Sequence, residues 1–250
     1  MPLDGAPHAQ TARWYDRAYE VTYGAIYTQL TNQTLELIRE IHPPPASVVD
    51  FGAGTGRLAL PLVQQGYDVT AVEPCREMLA VLDDKARDQG VDRKRLSTCP
   101  VSMQAYHAGG RTFDVAICVF TVVAYLLDED ALTGAFRSIH GALKPGGCLL
   151  IDVPRRVLYQ QPVPSLDEHG FRRRVELKPV GDDLYAYAEE LQVLDAAGQV
   201  QTYSERFLTR YWELDSLSQH LENVGFVLER DESNRFGGTG AAYLVFRAGE

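Results

Sequence analysis

Residues 47–51, SVVDF, run directly into GAGTGR, and this joint limits the architecture of the chain more than any other feature. A continuous apolar run ending in an acid reads as a buried strand. Glycines spaced by one residue read as a tight turn, and LALPL beyond them as the start of a helix. Strand, glycine turn and helix make the first unit of a parallel sheet. Such a turn can hold a ligand against bare backbone, because glycine admits a positive φ and carries no Cβ.

The alternation continues downstream. Helices are expected over 57–65 and 76–89, flanking a strand in DVTAVEP. RLSTCPVSM is a weaker third strand and TFDVAICVF a strongly apolar fourth. A helix over 128–143, with Asp128 as N-cap and KPGG as its stop, leads to a fifth strand in GGCLLIDVP. Apolar strands alternating with amphipathic helices form a parallel sheet covered on both faces, and the right-handed crossover rule makes it a doubly wound α/β core. Upstream, Tyr15, Tyr19, Tyr23 and Tyr27 recur at four-residue spacing, and a further helix is expected to reach Ile41 before the prolines at 43–45.

The pattern changes after Pro154. Residues 155–213 show no long helix, and the AAGQ turn at 196–199 joins two runs of period-two character. This region reads as an antiparallel β insert. Within it, FRRRVELK, with Arg172, Arg173 and Arg174, reads as a solvated edge strand rather than an anion site. The core resumes with a helix over 215–224 and two strands, GFVLERDES and AAYLVFRA, separated by NRFGGTG as a mobile tip.

Composition narrows the function. The formal charge is −10, from 24 basic and 34 acidic residues, which argues against tracking nucleic-acid phosphates. The opening MPLDGAPHAQ has no apolar core, so it is not a secretory signal, and VAICVFTVVAYLL falls short of the ~20 residues of a membrane span. The four cysteines form no CxxC pair and read as buried, reduced thiols, consistent with a cytoplasmic protein. The scattered histidines offer no metal cluster.

Three ligands suit a glycine turn in principle. A triphosphate loop requires GxxxxGK[ST], which is missing. A dinucleotide fingerprint of the GxGxxA type fits Gly54, Gly56 and Ala59. Asp50 weighs against it, because a carboxylate at the strand end repels a pyrophosphate lying on the loop. S-adenosylmethionine carries an ammonium, a sulfonium and no phosphate, so the same carboxylate attracts it. Glu73, at the end of the second strand, can accept hydrogen bonds from ribose hydroxyls and suits either adenosyl cofactor.

VVDFGAGTGRLALPL, VTAVEP, FDVAICVF and LKPGGCLLIDVP resemble successive motifs of the class I S-adenosylmethionine-dependent methyltransferases, over about residues 45–154 and again at LSQHLENVGFVLER. The resemblance implies a Rossmann-like sheet of seven strands, mostly parallel with the last antiparallel. Residues 1–154 and 214–250 would form the cofactor-binding core, 1–42 an N-terminal helical lid, and 155–213 an inserted antiparallel β lid over the acceptor. It implies that Asp50, Gly52, Ala53 and Gly54 flank the methionine end and that Glu73 binds ribose. Pro74 and Met78 would lie near the adenine, and Met103 would cover it. Ser102 stands where the family usually has an acid for the adenine amine. Val119 and Phe120 would sit beside the methyl donor. WYDRAY is similar to the N-terminal segment of small-molecule methyltransferases, which makes Tyr15 the tyrosine that closes over the cofactor.

Methyl transfer from a sulfonium is an in-line displacement needing alignment and exclusion of water more than a base. No catalytic residue is therefore assigned; Tyr15, Tyr125 and Asp152 are candidates by location. The layout is similar to small-molecule N- or O-methyltransferases, including those acting on amino sugars. It implies a small-molecule acceptor, with no nucleic-acid or membrane partner; a homodimer is left open. The insert's Tyr185, Tyr187, Tyr203, Phe207, Tyr211 and Trp212 either line the acceptor pocket or glue the insert down. The alternatives are RNA or protein methylation, a non-catalytic cofactor-binding protein and an NAD-dependent oxidoreductase. Acidic charge disfavours RNA, and no [ND]PP[YF] motif follows the fourth strand.

Overall fold

The computed structural model describes residues 6–168, 170–195 and 197–249. Two helices, α1 (Tyr15–Tyr23) and α2 (Ala25–Ile41), precede the sheet. The four tyrosines do not climb one continuous helix. Gly24 takes φ +51° and breaks it, so Tyr19 meets both Tyr23 and Tyr27, with ring centroids 5.7 and 5.9 Å away.

The core then follows as β1 (Ser47–Phe51), α3 (Ala59–Gln64), β2 (Asp68–Val72), α4 (Arg76–Asp88), β3 (Leu96–Cys99), β4 (Phe113–Cys118), α5 (Glu129–Ala142) and β5 (Leu143–Pro154). Asp128 caps α5, accepting the backbone N–H of Ala131 at 2.7 Å. Strand pairing resumes at Leu143, so KPGG ends the helix but lies inside the span of β5, beside a register shift against β4. The third strand stops at Cys99, short of the VSM expected to extend it.

After α6 (Val157–Gln160) the chain forms a separate antiparallel sheet from β6 (Leu166–Glu168), β7 (Phe171–Gly181), β8 (Leu184–Leu194) and β9 (Val200–Arg210). The core closes with α7 (Leu214–Val224), β10 (Phe226–Asp231) and β11 (Ala241–Ala248). The large sheet has seven strands in the order β10-β11-β5-β4-β1-β2-β3, with β11 antiparallel to both neighbours. This is the Rossmann-like topology expected.

Alternation along the strands explains the layers. Val48, Val115, Ile117 and Leu150 face α2, α3 and α4, whereas Val49, Ala116, Cys118 and Leu149 face α5 and α7. Both sets are buried, which requires the near-continuous apolar runs seen in the sequence.

Two expectations need correction. Strand β7 is an inner strand between β6 and β8, not a solvated edge; Phe171 and Arg173 point inward while Arg172 and Arg174 stay in water. The NRFGGTG segment is not a loose tip, since Phe236 is buried and stacks on Tyr243 at 3.9 Å. Of the AAGQ turn, Ala196 lies outside the described residues, as do Met1–Gly5, His169 and Glu250. All four cysteines are free thiols. Among the described residues no helix is long and apolar enough to cross a membrane, and no His/Cys/Asp/Glu group is arranged to hold a metal.

Candidate active site

The loops after β1, β2, β3 and β4 all open at the carboxyl edge of the sheet. There they surround a cavity of about 370 Å3, within the ~300–1,000 Å3 typical of small-molecule sites. Asp50, Gly52, Ala53, Gly54, Glu73, Pro74, Met78, Ser102, Met103, Val119, Phe120 and Tyr15 all line it. Twelve residues from five separate segments thus meet in one space.

The glycines shape the loop in two ways. Gly52, Gly54 and Gly56 all have positive φ, between +55° and +84°. A Cβ on Gly52 would stand 2.6 Å from Val122, and one on Gly56 would stand 2.9 Å from Leu82. Part of the glycine requirement is therefore internal packing rather than room for a ligand. The loop is pinned at both ends of its turn: Gly52 donates its N–H to the Val72 carbonyl at 2.8 Å, and Gly54 donates to Glu73 Oε2 at 3.0 Å. Glu73 Oε1 accepts the Cys75 N–H at 2.9 Å, so its carboxylate bridges two loops.

Charge is concentrated here. Asp50 is only 4% exposed; burial raises its carboxyl to about 7, Arg57 opposes the rise and Glu73 adds to it. Burial also raises Glu73, against the pull of its two backbone donors. Arg57 is the one arginine or lysine lining the cavity among the described residues. Its guanidinium lies 4.4 Å from the Phe120 ring centroid and donates to Thr31 Oγ1 at 3.0 Å. Sequence reasoning gave Arg57 no role in the site. The signal was present, because the residue follows the third glycine, but its direction depends on α2.

Strand β4 ends in a strained turn. Phe120 and Thr121 both adopt the left-handed region, at φ +74° and +64°, costing roughly 1–2 kcal/mol each. Asp152 supports the turn by accepting the Thr121 N–H, with its carboxylate oxygens at 2.9 and 3.1 Å. Burial raises Asp152 to about 7, opposed by that hydrogen bond. It is not among the residues lining the cavity. Tyr15 and Tyr125 do line it, and burial raises both phenols well above their ordinary value.

The far wall comes from the N-terminal segment and from β9, where Phe207 was among the expected aromatics and Pro7, His8 and Leu208 were not. Pro7 and His8 reach the cavity from the N-terminal segment, and Phe207 and Leu208 reach it from β9. Tyr187 stacks on Phe207 at 4.4 Å, whereas Tyr185 packs on Tyr159, and Trp212 donates to the Leu126 carbonyl from the core. The insert's aromatics therefore divide between wall and glue. Helix α1 is fastened to the glycine loop through Asp16, which accepts from Thr55 at 2.6 Å and pairs with Lys85 at 2.7 Å.

A cavity at the carboxyl edge, walled by an acidic glycine loop, defines a nucleotide-type site without a phosphate cradle. Comparison with known proteins agrees with that class. Residues 48–147 match the family described as a methyltransferase domain. A Geobacillus protein named as a methyltransferase is 29% identical over 57% of this chain; the match spans 55% of that relative. The fold is shared with an S-adenosylmethionine-dependent methyltransferase of Clostridium acetobutylicum (TM-score 0.81, 19% identity, 95% of this chain and 99% of that one). It is shared too with the sugar N-methyltransferase KedS8 of a Streptoalloteichus species (TM-score 0.75, 21% identity, 94% and 93% covered).

Proposed function

We propose that the protein transfers a methyl group from S-adenosylmethionine to a nitrogen or oxygen of a small molecule. The observation that carries this reading is the buried, acidic glycine loop: Asp50 and Glu73 wall the cavity beside Gly52 and Gly54. A sulfonium and an ammonium lower the energy of such a pocket, whereas a pyrophosphate raises it. Arg57 supplies the complementary charge for the single carboxylate of the donor. Met78 and Met103 offer polarizable side chains to an adenine, and Glu73 offers oxygens to the ribose. Tyr15, on the first turn of α1, covers the donor, so the N-terminal segment acts as a lid. The four-stranded sheet roofs the acceptor through Phe207 and Leu208.

A small acceptor is supported by the enclosed aromatic wall and the −10 charge, which suit neither a nucleic acid nor a phosphate-rich surface. The shared fold of a sugar N-methyltransferase points the same way. The test is release of S-adenosylhomocysteine from S-adenosylmethionine in the presence of amino sugars, simple amines and phenols. Acceptor-dependent release is the expected result. Tight S-adenosylhomocysteine binding with no release from any acceptor would instead identify a cofactor-binding protein.

A further inference from the structure

We propose that Tyr125 and His8 form a proton relay facing the acceptor, with Glu205 of β9 as the positioning residue that holds His8 there; this rests on the methyl-transfer reading above. His8 Nε2 lies 2.8 Å from the Tyr125 hydroxyl, and both side chains line the cavity. The contact joins residues 117 positions apart, and Glu205 is what holds His8 in place for it. Its buried carboxylate accepts the backbone N–H of His8 at 2.7 Å, the N–H of Thr11 at 2.7 Å and the Thr11 hydroxyl at 3.0 Å. His8 itself adopts φ +67°, a conformation that a bulky residue keeps only where its surroundings over-determine it. Its ring is wedged edge-on between Tyr15 and Phe207, with centroids 5.0 and 4.9 Å away.

The placement of the ring nitrogens gives the pair its chemistry. Nδ1 is buried without a hydrogen-bond partner among the described residues and stands 3.7 Å from Glu205 Oε2. Burial, aided by the Arg173 guanidinium, lowers the imidazole to about 3, so it is neutral near pH 7 and keeps one lone pair. A proton on Nδ1, toward the carboxylate, leaves Nε2 to accept from the Tyr125 O–H. The phenol oxygen then offers its own lone pairs to the cavity. An acceptor X–H attacks the methyl carbon with its X lone pair, and the carbon–sulfur bond breaks with its electron pair remaining on sulfur. The X–H proton passes to the Tyr125 oxygen as the Tyr125 proton passes to Nε2, leaving an imidazolium facing Glu205. Charge balances, since the sulfonium cation is lost as the imidazolium forms.

The acceptor class follows. Asp50 and Glu73 are the carboxylates lining the cavity among the described residues, and both belong to the donor side. Glu205 is engaged by three donors. An acceptor with a fixed positive charge has no counter-ion on the relay side among the described residues, whereas a neutral hydroxyl needs none and, once methylated, is acidic enough to pass its proton to an imidazole of lowered basicity.

Selective 15N-histidine NMR at neutral pH tests the relay without donor or acceptor, the His8→Gln spectrum identifying the signal. The expected result is an Nδ1–H imidazole whose Nε2 resonance moves in Tyr125→Phe. An Nε2–H tautomer overturns the proposal, because Tyr125 then has no base to receive its proton. In the turnover assay, His8→Gln and Tyr125→Phe are expected to lower kcat by about 100-fold or more while S-adenosylhomocysteine still binds. Glu205→Gln should lower kcat and alter the His8 spectrum together. Unchanged kcat in Tyr125→Phe also overturns the relay. Failure of the wild-type protein to bind S-adenosylhomocysteine would instead remove the methyltransferase reading.

Discussion

Asp50 puts a buried carboxylate on the cavity wall, and under the proposed function its charge decides what the cavity admits. Burial holds its carboxyl at about 7, against 3.8 for an ordinary one. The native protein keeps this proton after the unfolded chain has released it. Native Asp50 therefore subtracts from stability as pH rises between about 4 and about 7, by at most on the order of 4 kcal/mol. His8 has the opposite sign. Lowered from 6.5 to about 3, it contributes stability that is lost as pH falls below its unfolded value. The two trends overlap, so the clean comparison is Asp50→Asn against wild type. The variant's advantage in Tm should grow from pH 5 to pH 7, and a constant difference across that range would contradict the assignment. Ligand affinity should move the other way, because a cationic donor favours the ionised carboxylate. Asp50→Asn should weaken S-adenosylmethionine by about tenfold, or ~1.4 kcal/mol, and the uncharged-sulfur product by less. Equal losses for both ligands would show that the charge on sulfur is not what Asp50 reads.

Among the elements, the inserted sheet carries the strongest internal commitment. Arg173 on β7 and Glu189 on β8 pair at 2.6 Å with side chains only 1% and 3% exposed. Arg173 also donates to Thr22 Oγ1 at 3.1 Å, which ties the sheet to α1. Removing one partner strands a buried charge. Arg173→Met should cost about 3–5 kcal/mol in denaturant unfolding, and adding Glu189→Leu should recover most of that loss. A loss of under about 1 kcal/mol in the single variant would mean the pair is wetter than its geometry implies. The sequence could not show this. FRRRV has three adjacent arginines, and alternation decides which one turns inward, but only the partner strand shows that a carboxylate waits there. The core strands were legible for the converse reason: VAICV and CLLI are apolar at every position, and VVDF at all but Asp50, because both faces are covered, and no partner need be known. NRFGGTG failed similarly, since its glycines signal a turn while the burial of Phe236 depends on Tyr243 from β11.

At the scale of the molecule, the site is built by topology. Asp50, Glu73, Met103 and Phe120 come together because successive parallel strands end at one edge, so knowing the strand order is enough to gather them. His8, Phe207 and Glu205 come together through tertiary contacts with no local pattern, which is why reading along the chain passed by His8 and Glu205 and left Phe207 among six aromatics of undecided role. Asp152 illustrates the remaining gap, because its place at the end of β5 was visible but its use, bracing the Thr121 N–H, depends on the strained turn opposite. The central claim is that this edge was built for an adenosyl donor with positive charge. Thermal melting with S-adenosylmethionine, S-adenosylhomocysteine and NAD tests it most directly. A ligand at about 100 times its Kd contributes ~2.7 kcal/mol, which for a protein of this size raises Tm by roughly 5–10 °C. Both adenosyl ligands should give such a shift, Glu73→Ala should shrink it, and NAD should give none; stabilisation by NAD alone would contradict the account and return Gly54, Gly56 and Ala59 to a dinucleotide loop.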